Sequence, residues 1–483
     1  MENKNIKSCL TENWLFLLIA AQPLLDALAY FSRGGEATFA GYIRLAVMLV
    51  LPLHLLITLK EKRNFLLLML PIAMACALHI VNGFRTGMIS VSGDVSYMAK
   101  IAQAPILAVC FCFYMKDEKM KDQAVRGIIA AAVINLVTVA VAFVTGTWNS
   151  TYGGGIGLSG WVIDDNRCAN SIIFVSLSTF AVYVGSVSNK KLLNVGLPAL
   201  VWFMLIANGT KACYLALFAL LLGYAAFMLL RRFVTGEKVK KAFLFTLFVL
   251  FVLAILVYPI SPRAIVDQSL KNSRENFQSE LDIKLAELGY DAKTMTFEEK
   301  FNNPEVRLVF ENYYRRMIAY IIPDLFDRFG MERVLIHYGM TTDAETIIDT
   351  RVMKRAYAAL IWEDSDSVTR LVGIQPADVC TRSYDVENDY HALYYYTGYI
   401  GFALYLLYIA VFVIFIIKRL LRDFKGSFTM FNCCLLLCFA LQLGLAHFSG
   451  AVLRRPNVSI YFAVVQALMY YQCVKAPMLS EKE

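Results

Sequence analysis

The sequence predicts an all-α polytopic membrane protein, and three observations predict it. Of 483 residues, 58% are hydrophobic and only 17% are charged, with a mean hydropathy of +0.55. A soluble domain carries closer to ~25% charged residues. The apolar residues also arrive in long blocks. About 20 of them in a helix rising 1.5 Å per residue cross a bilayer core of ~30 Å, and helices pair every backbone group within the segment. Finally, lysine and arginine collect on alternate connections between these blocks.

Twelve spans are read at about 14–31, 37–59, 65–82, 98–115, 124–145, 167–188, 192–207, 212–230, 242–261, 391–417, 428–447 and 456–473. Pro23, Pro52, Pro71, Pro105 and Pro198 lie inside spans, where neighbouring helices accommodate them. Met1–Glu12 is polar and leads straight into the first span, which is expected to act as a signal anchor rather than a cleaved leader. Basic residues cluster at Lys4 and Lys7, Lys60–Arg63, Lys116–Arg126, Lys190 and Lys191, Arg231–Lys241, Lys418–Lys425, and Lys475 and Lys482. The positive-inside rule places those connections, and both termini, in the cytoplasm.

The connection from about Pro262 to Tyr390 then falls outside. The expected organisation is membrane helices over 1–261, an outer loop domain over 262–390, and membrane helices with a tail over 391–483. The loop carries 16 Lys plus Arg against 23 Asp plus Glu, a difference of −7, so the net +8 of the chain belongs to its membrane part. At ~129 residues it is too long for a bare connector, and long loops usually carry function. Apolar periodicity near Glu305–Ile322 and Arg351–Trp362 predicts helices there. So acidic a loop argues against nucleic acid or an anionic membrane surface as its partner.

Several motifs are set aside. The eleven cysteines form no framework: Cys380 alone lies in the outer loop, while Cys110, Cys112, Cys433, Cys434 and Cys438 fall inside spans and read as small apolar residues. No metal-ligand spacing appears, and neither a metal nor a cofactor is expected. Gly155–Gly160 matches G-x-G-x-x-G but lacks a preceding strand and a βαβ unit, so it reads as a flexible loop. Asn149-Ser150-Thr151 and Asn208-Gly209-Thr210 match a glycosylation acceptor without a secretory context. His54 and His79 read as packed, hydrogen-bonded histidines.

Polar groups at the outer ends of the spans are harder to dismiss. Arg44, Lys100, Arg167, Lys211, Arg454 and Arg455 fall there; Asp164, Asp165 and Asn166 precede the sixth span, and Glu387–His391 precede the tenth. Charge at membrane depth is costly and usually faces a cavity or another charge. Cations at the outer face, with no nucleotide-binding motif inside, suit an anionic lipid-linked substrate such as a polyprenyl pyrophosphate, which arginine clamps by charge-assisted hydrogen bonds.

Four stretches resemble the O-antigen ligase and O-antigen polymerase family of bacterial surface-polysaccharide enzymes. Gly160-Trp161-Val162-Ile163-Asp164-Asp165-Asn166 resembles the family's G-x-F-x-x-x-N segment. Asn208–Tyr224 resembles its G-S-R-x-x-x-L-A-L helix start, with Lys211 in place of the usual arginine. Arg307-Leu308-Val309-Phe310 resembles the start of the loop helix that carries the family's second arginine, and Glu387–Leu407 resembles its H-N-x-Y-L…G-L-I-G segment. The twelve spans and the position of the large loop also match.

The resemblance implies glycosyl transfer at the outer face of the bacterial cytoplasmic membrane. The donor would be an oligosaccharide on undecaprenyl pyrophosphate, and the acceptor another such unit or a lipid. It places the donor's pyrophosphate and glycan near Lys211, Arg307, Arg167, Asn166 and Asp389, with membrane lipid around the site and a chain-length regulator as a further candidate partner. It needs no metal. The sequence departs from the pattern at one point: counting back from Gly398, the family's histidine position holds Glu387, and His391 follows four residues later. If that segment is helical the two share a face. Glu387 is favoured as base with His391 assisting; the reverse assignment remains open, and Asp389 is the next candidate. The E-N-D-Y form resembles chain-extending polymerases more than ligases. A transporter of the same lipid-linked glycan also fits twelve spans, but it has little use for the large loop, and the halves show no repeat. A dolichyl-phosphate-sugar transferase is a third reading, weakened by a first outer loop without an aspartate pair.

Overall fold

The computed structural model describes residues 12–32, 39–163, 167–319, 321–322, 324–380, 385–450 and 452–480. It is 82% helical. The apolar blocks fold in chain order as α1 (Trp14–Ala20), α2 (Gln22–Ser32), α3 (Phe39–Thr58), α4 (Arg63–Thr86), α5 (Val91–Tyr114) and α6 (Glu118–Val144). A hairpin, β1 (Asn149–Tyr152) and β2 (Ile156–Gly160), precedes α7 (Arg167–Val187), α8 (Lys191–Asn208), α9 (Lys211–Thr235) and α10 (Lys241–Val257). The loop region holds α11 (Pro262–Glu287), α12 (Phe297–Asn302), α13 (Pro304–Ile318), α14 (Asp324–Phe329), α15 (Met331–His337), α16 (Ala344–Ile348), α17 (Thr350–Asp364), α18 (Ser367–Val372) and α19 (Pro376–Cys380). The chain ends with α20 (Asp389–Arg422), α21 (Met430–Phe448), α22 (Pro456–Tyr470) and α23 (Ala476–Ser480).

Among the described residues ten helices are long and apolar enough to cross a membrane, and eleven if α1 and α2 form one span bent by 43°. Of the twelve spans expected, the last, over 456–473, is not among them. The apolar run over 456–473 holds an α-helix of only 15 residues, interrupted by a wide π turn over Tyr471–Lys475 before α23. The fourth span also starts earlier than expected, at Val91. Caps explain several boundaries: Asp117 accepts from the Met120 amide at α6, Thr210 from Cys213 at α9, and Thr429 from Asn432 at α21. Each satisfies an amide that the first helical turn leaves orphaned.

The chain divides into two compact units. The first comprises residues 1–76, 98–264 and 403–483. Its most enclosed span is α7, whose buried polar groups find partners on neighbouring helices: Gln442 Nε2 donates to Ser176 Oγ at 2.9 Å and Tyr224 OH to the Thr179 carbonyl at 2.8 Å. The G-x-G-x-x-G segment is not the loose loop its composition suggested, because most of it forms β2, antiparallel to β1. Gly157 makes this possible, since a Cβ there would lie 2.5 Å from the Asn208 carbonyl oxygen.

The second unit comprises residues 77–97 and 265–402. Its amphipathic helix α13 buries Val306, Phe310, Tyr313, Tyr314, Met317 and Ile318. The ends of α4 and α5 within this unit are stitched to the segment around α18 and α19. Here His79 Nδ1 lies 3.0 Å from the Val372 carbonyl, Asn82 donates to Thr369 at 3.2 Å, and Arg85 bridges Asn82 and Asp366. Asp94 accepts the Ala377 amide at 2.8 Å, and Tyr97 donates to Asp385 at 2.5 Å. Two glycines permit the tightest crossing. Gly373 (φ 102°) would bring a Cβ within 2.1 Å of the Tyr396 carbonyl, and Gly398 (φ 65°) within 2.5 Å of Leu371, so α20 is broken at Gly398.

Candidate functional site

In the first unit the starts of α7 and α9 are joined through one side chain. Asn208 is fully buried, and its Oδ1 accepts from Ser171 at 3.0 Å, Thr210 at 2.9 Å and Cys213 Sγ at 3.2 Å. Its Nδ2 donates to the Leu158 carbonyl of β2 at 3.2 Å, while Asn170 holds the Ser159 carbonyl at 2.8 Å. Lys211 is the first residue of α9 and is exposed, and Arg167 is the first residue of α7 and half-buried. The hairpin and Asn208 therefore fix the helix ends that bear these two cations. A cation at a helix N-terminus adds to the partial positive charge already there, which makes the α9 start a place for an anion. Asn166, with Asp164 and Asp165, lies outside the described residues. Beside this hub, the largely buried Arg263 donates to Tyr152 OH at 3.1 Å. The sequence reading had missed that arginine.

Of the other outer cations, Arg44 and Arg454 are committed internally. Arg44 is buried against Asp26 at 2.8 Å and Gln22 at 3.0 Å, and Arg454 donates to the Gly450 carbonyl at 3.1 Å.

In the second unit Arg307 projects from the first turn of α13, stacked on Phe301 with the guanidinium 4.4 Å from the ring centroid. It pairs with Glu311 at 3.0 Å and Glu332 at 3.7 Å. Glu387 belongs to a different cluster. Its Oε1 accepts from Lys354 Nζ at 2.5 Å and its Oε2 from Arg351 Nε at 3.0 Å, both cations coming from the start of α17. Burial alone would raise the Glu387 pKa, but Lys354 and then Arg351 outweigh it and hold the carboxyl below the usual glutamate value.

α20 begins at Asp389, which is fully buried, so Glu387 precedes the helix and does not share a helical face with His391. The helical pairing considered from the sequence is therefore absent. His391, half-buried on the first turn of α20, has its backbone amide on Asn388 Oδ1 at 3.1 Å. Arg351 and Lys354 were missed because they lie more than thirty residues from Glu387. A signal was nevertheless present: Arg351, Lys354 and Arg355 crowd the first turns of α17, which has no acidic residue in its first turn.

A model of the O-antigen ligase like membrane protein family matches residues 8–475. The chain belongs to that family. Nearly all of it is covered, so the resemblance seen in four short stretches extends across both units. The family places the chain among multi-pass membrane proteins and implies a glycosyltransferase-type enzyme of surface-polysaccharide assembly acting on lipid-linked glycans. No curated protein matches the chain by sequence.

Proposed function

We propose that this family member is a polymerase. It joins oligosaccharide units carried on undecaprenyl pyrophosphate, at the outer face of the cytoplasmic membrane. The observation that carries the donor site is the exposed Lys211 at the α9 N-terminus, fixed by the buried Asn208 hub, and the E-N-D-Y form at Glu387–Tyr390 favours a polymerase. Arg167 at the start of α7 joins it as a donor contact. Arg307 and Asp389 are the proposed contacts of the second unit, and Asn166 is proposed from its motif alone.

In the proposed step an acceptor hydroxyl oxygen attacks the anomeric carbon of the donor glycan as the bond from that carbon to the pyrophosphate oxygen breaks. The electron pair leaves with the prenyl pyrophosphate, whose growing charge the cations stabilise. The hydroxyl proton passes to Glu387, with His391 orienting the acceptor. A single displacement inverts the anomeric centre.

Complementation of a deletion strain tests this, with polysaccharide chain length read on a gel beside a blot of the protein. Lys211→Ala and Arg307→Ala are expected to abolish or severely shorten the polymer at normal protein abundance. Loss of one such charge-assisted contact costs about 1.5–3 kcal/mol. Lys211→Arg retains function, and Glu387→Gln makes no polymer. Normal polymer in both alanine variants overturns the anion-site assignment. The ligase reading is favoured by the matched family's own description, and it predicts a different loss: glycan no longer attached to its lipid acceptor, with chain length unchanged.

A further inference from the structure

The start of α17 breaks a local rule. Three cations, Arg351, Lys354 and Arg355, occupy its first six residues, and no acidic residue lies in its first turn. Cations are unfavourable at a helix N-terminus, where the partial charge is already positive. Asp349 caps the helix by accepting the Arg351 amide at 2.8 Å, which satisfies an orphan amide and leaves the side-chain crowding in place. Departures from local consistency concentrate at functional sites.

What sits on these cations is informative. The Lys354 side chain is only 9% exposed, and a buried ammonium needs an anion at all times. Glu387 provides one, with each carboxylate oxygen on a different cation, at 2.5 and 3.0 Å. Two oxygens of a phosphoryl group take the same two-point arrangement. Glu387 spreads a single carboxylate over the two cations, and a diphosphate offers more oxygens and more negative charge to the same two points. The place is also reachable: Arg351 is 50% exposed and Glu387 29%.

We propose that Arg351 and Lys354 form a subsite for the diphosphate of the lipid-linked donor, and that the Glu387 carboxylate occupies it as a placeholder until the donor displaces it. This rests on the reading that the chain handles a prenyl-diphosphate-linked glycan. It also resolves a difficulty in that reading, since a carboxylate clamped by two cations is a poor base. When the diphosphate takes over the cations, Glu387 loses the charges that lower its pKa while its burial remains, and it becomes able to accept a proton. Donor binding then arms the base, and the resting enzyme holds it idle.

The test uses the full chain in lipid nanodiscs, with binding of fluorescent geranylgeranyl diphosphate measured directly and inorganic pyrophosphate as competitor. Removing the placeholder charge with Glu387→Gln is expected to tighten diphosphate binding about tenfold, although the variant transfers nothing. Arg351→Gln weakens binding about tenfold. Because Arg351 is half exposed, that variant keeps the test intact even if Lys354→Met fails to fold. Geranylgeranyl monophosphate gains less from Glu387→Gln. Suppose wild type binds the diphosphate probe while Glu387→Gln binds no tighter, or Arg351→Gln binds as well as wild type, with unfolding curves of the variants unchanged. The subsite is then overturned and the proposed function stands. If wild type does not bind the prenyl diphosphate at all, the proposed function fails, and the subsite fails with it.

Discussion

Arg44 with Asp26, and Glu387 with Arg351 and Lys354, are two ways of placing charge in one chain. In the first unit one cation meets one anion at 2.8 Å through Nη2, which also reaches the Gln22 carbonyl at 3.3 Å, while Nε donates to the Gln22 amide oxygen at 3.0 Å. Both side chains are nearly closed to solvent, at 6% and 14% exposure. The group is matched in charge and closed, so its role ends with holding α2 against α3. In the second unit one carboxylate spans two cations, and one of those cations is half exposed. Closed charge serves the fold, whereas open charge is available to a ligand.

The sharpest way to break that comparison is to remove one partner from each group. Arg44→Leu leaves Asp26 charged among membrane helices and is expected to destabilise the protein by about 3–5 kcal/mol, read as a lowered unfolding temperature in detergent. Adding Asp26→Leu to the same chain should restore most of that loss. Arg351→Gln, by contrast, should cost less than about 1 kcal/mol, because an exposed ion pair contributes little. Comparable losses at the two places would remove the distinction.

A buried but uncharged hub should fall between them. Asn208→Ala deletes the acceptor of Ser171, Thr210 and Cys213 and the donor to Leu158. The groups left unpaired cost about 1–3 kcal/mol. Amide exchange in β1 and β2 should rise with it while exchange in α17 stays as in wild type. A rise in α17 as well would mean the hub does more than fix the α7 and α9 starts.

The smallest expected effect is on pH dependence. The Glu387 pKa is lowered in the folded chain, so its pairing stabilises fully above the ordinary glutamate value of about 4.3. That contribution fades as pH falls from there through the folded value. Wild type should therefore lose stability on acidification slightly more than Glu387→Gln, by less than about 1 kcal/mol. Parallel curves would show that the carboxylate gains nothing from the two cations.

Much of the fold was legible because hydrophobic blocks and helical periodicity are local signals. The runs near Glu305–Ile322 and Arg351–Trp362 became α13 (Pro304–Ile318) and α17 (Thr350–Asp364). The failures share a cause, since an unbroken apolar run does not reveal a bend. The first block turns by 43° between α1 and α2, and the last is interrupted by a π turn. Gly398 is another instance. It served as the register mark from which Glu387 was located, yet its backbone is non-helical at φ 65°, ψ −172°. Its conformation is set by the crossing with Leu371 and Gly373, a contact that nothing near it in the sequence announces. Glu387 was singled out from the sequence, but its partners Arg351 and Lys354 were not, because pairing between distant segments leaves no periodic trace.

The most direct measurement for the whole account is transfer by the purified protein in nanodiscs, given a prenyl-diphosphate-linked oligosaccharide as both donor and acceptor. Products are sized by mass spectrometry and released prenyl diphosphate is quantified. The account predicts glycans lengthened by whole repeat units, with one prenyl diphosphate released per unit joined, and neither product from Lys211→Ala. Absence of both lengthening and release by the wild-type protein, when the same preparation moves the glycan intact to a separate lipid acceptor, would contradict polymerisation and establish ligation instead.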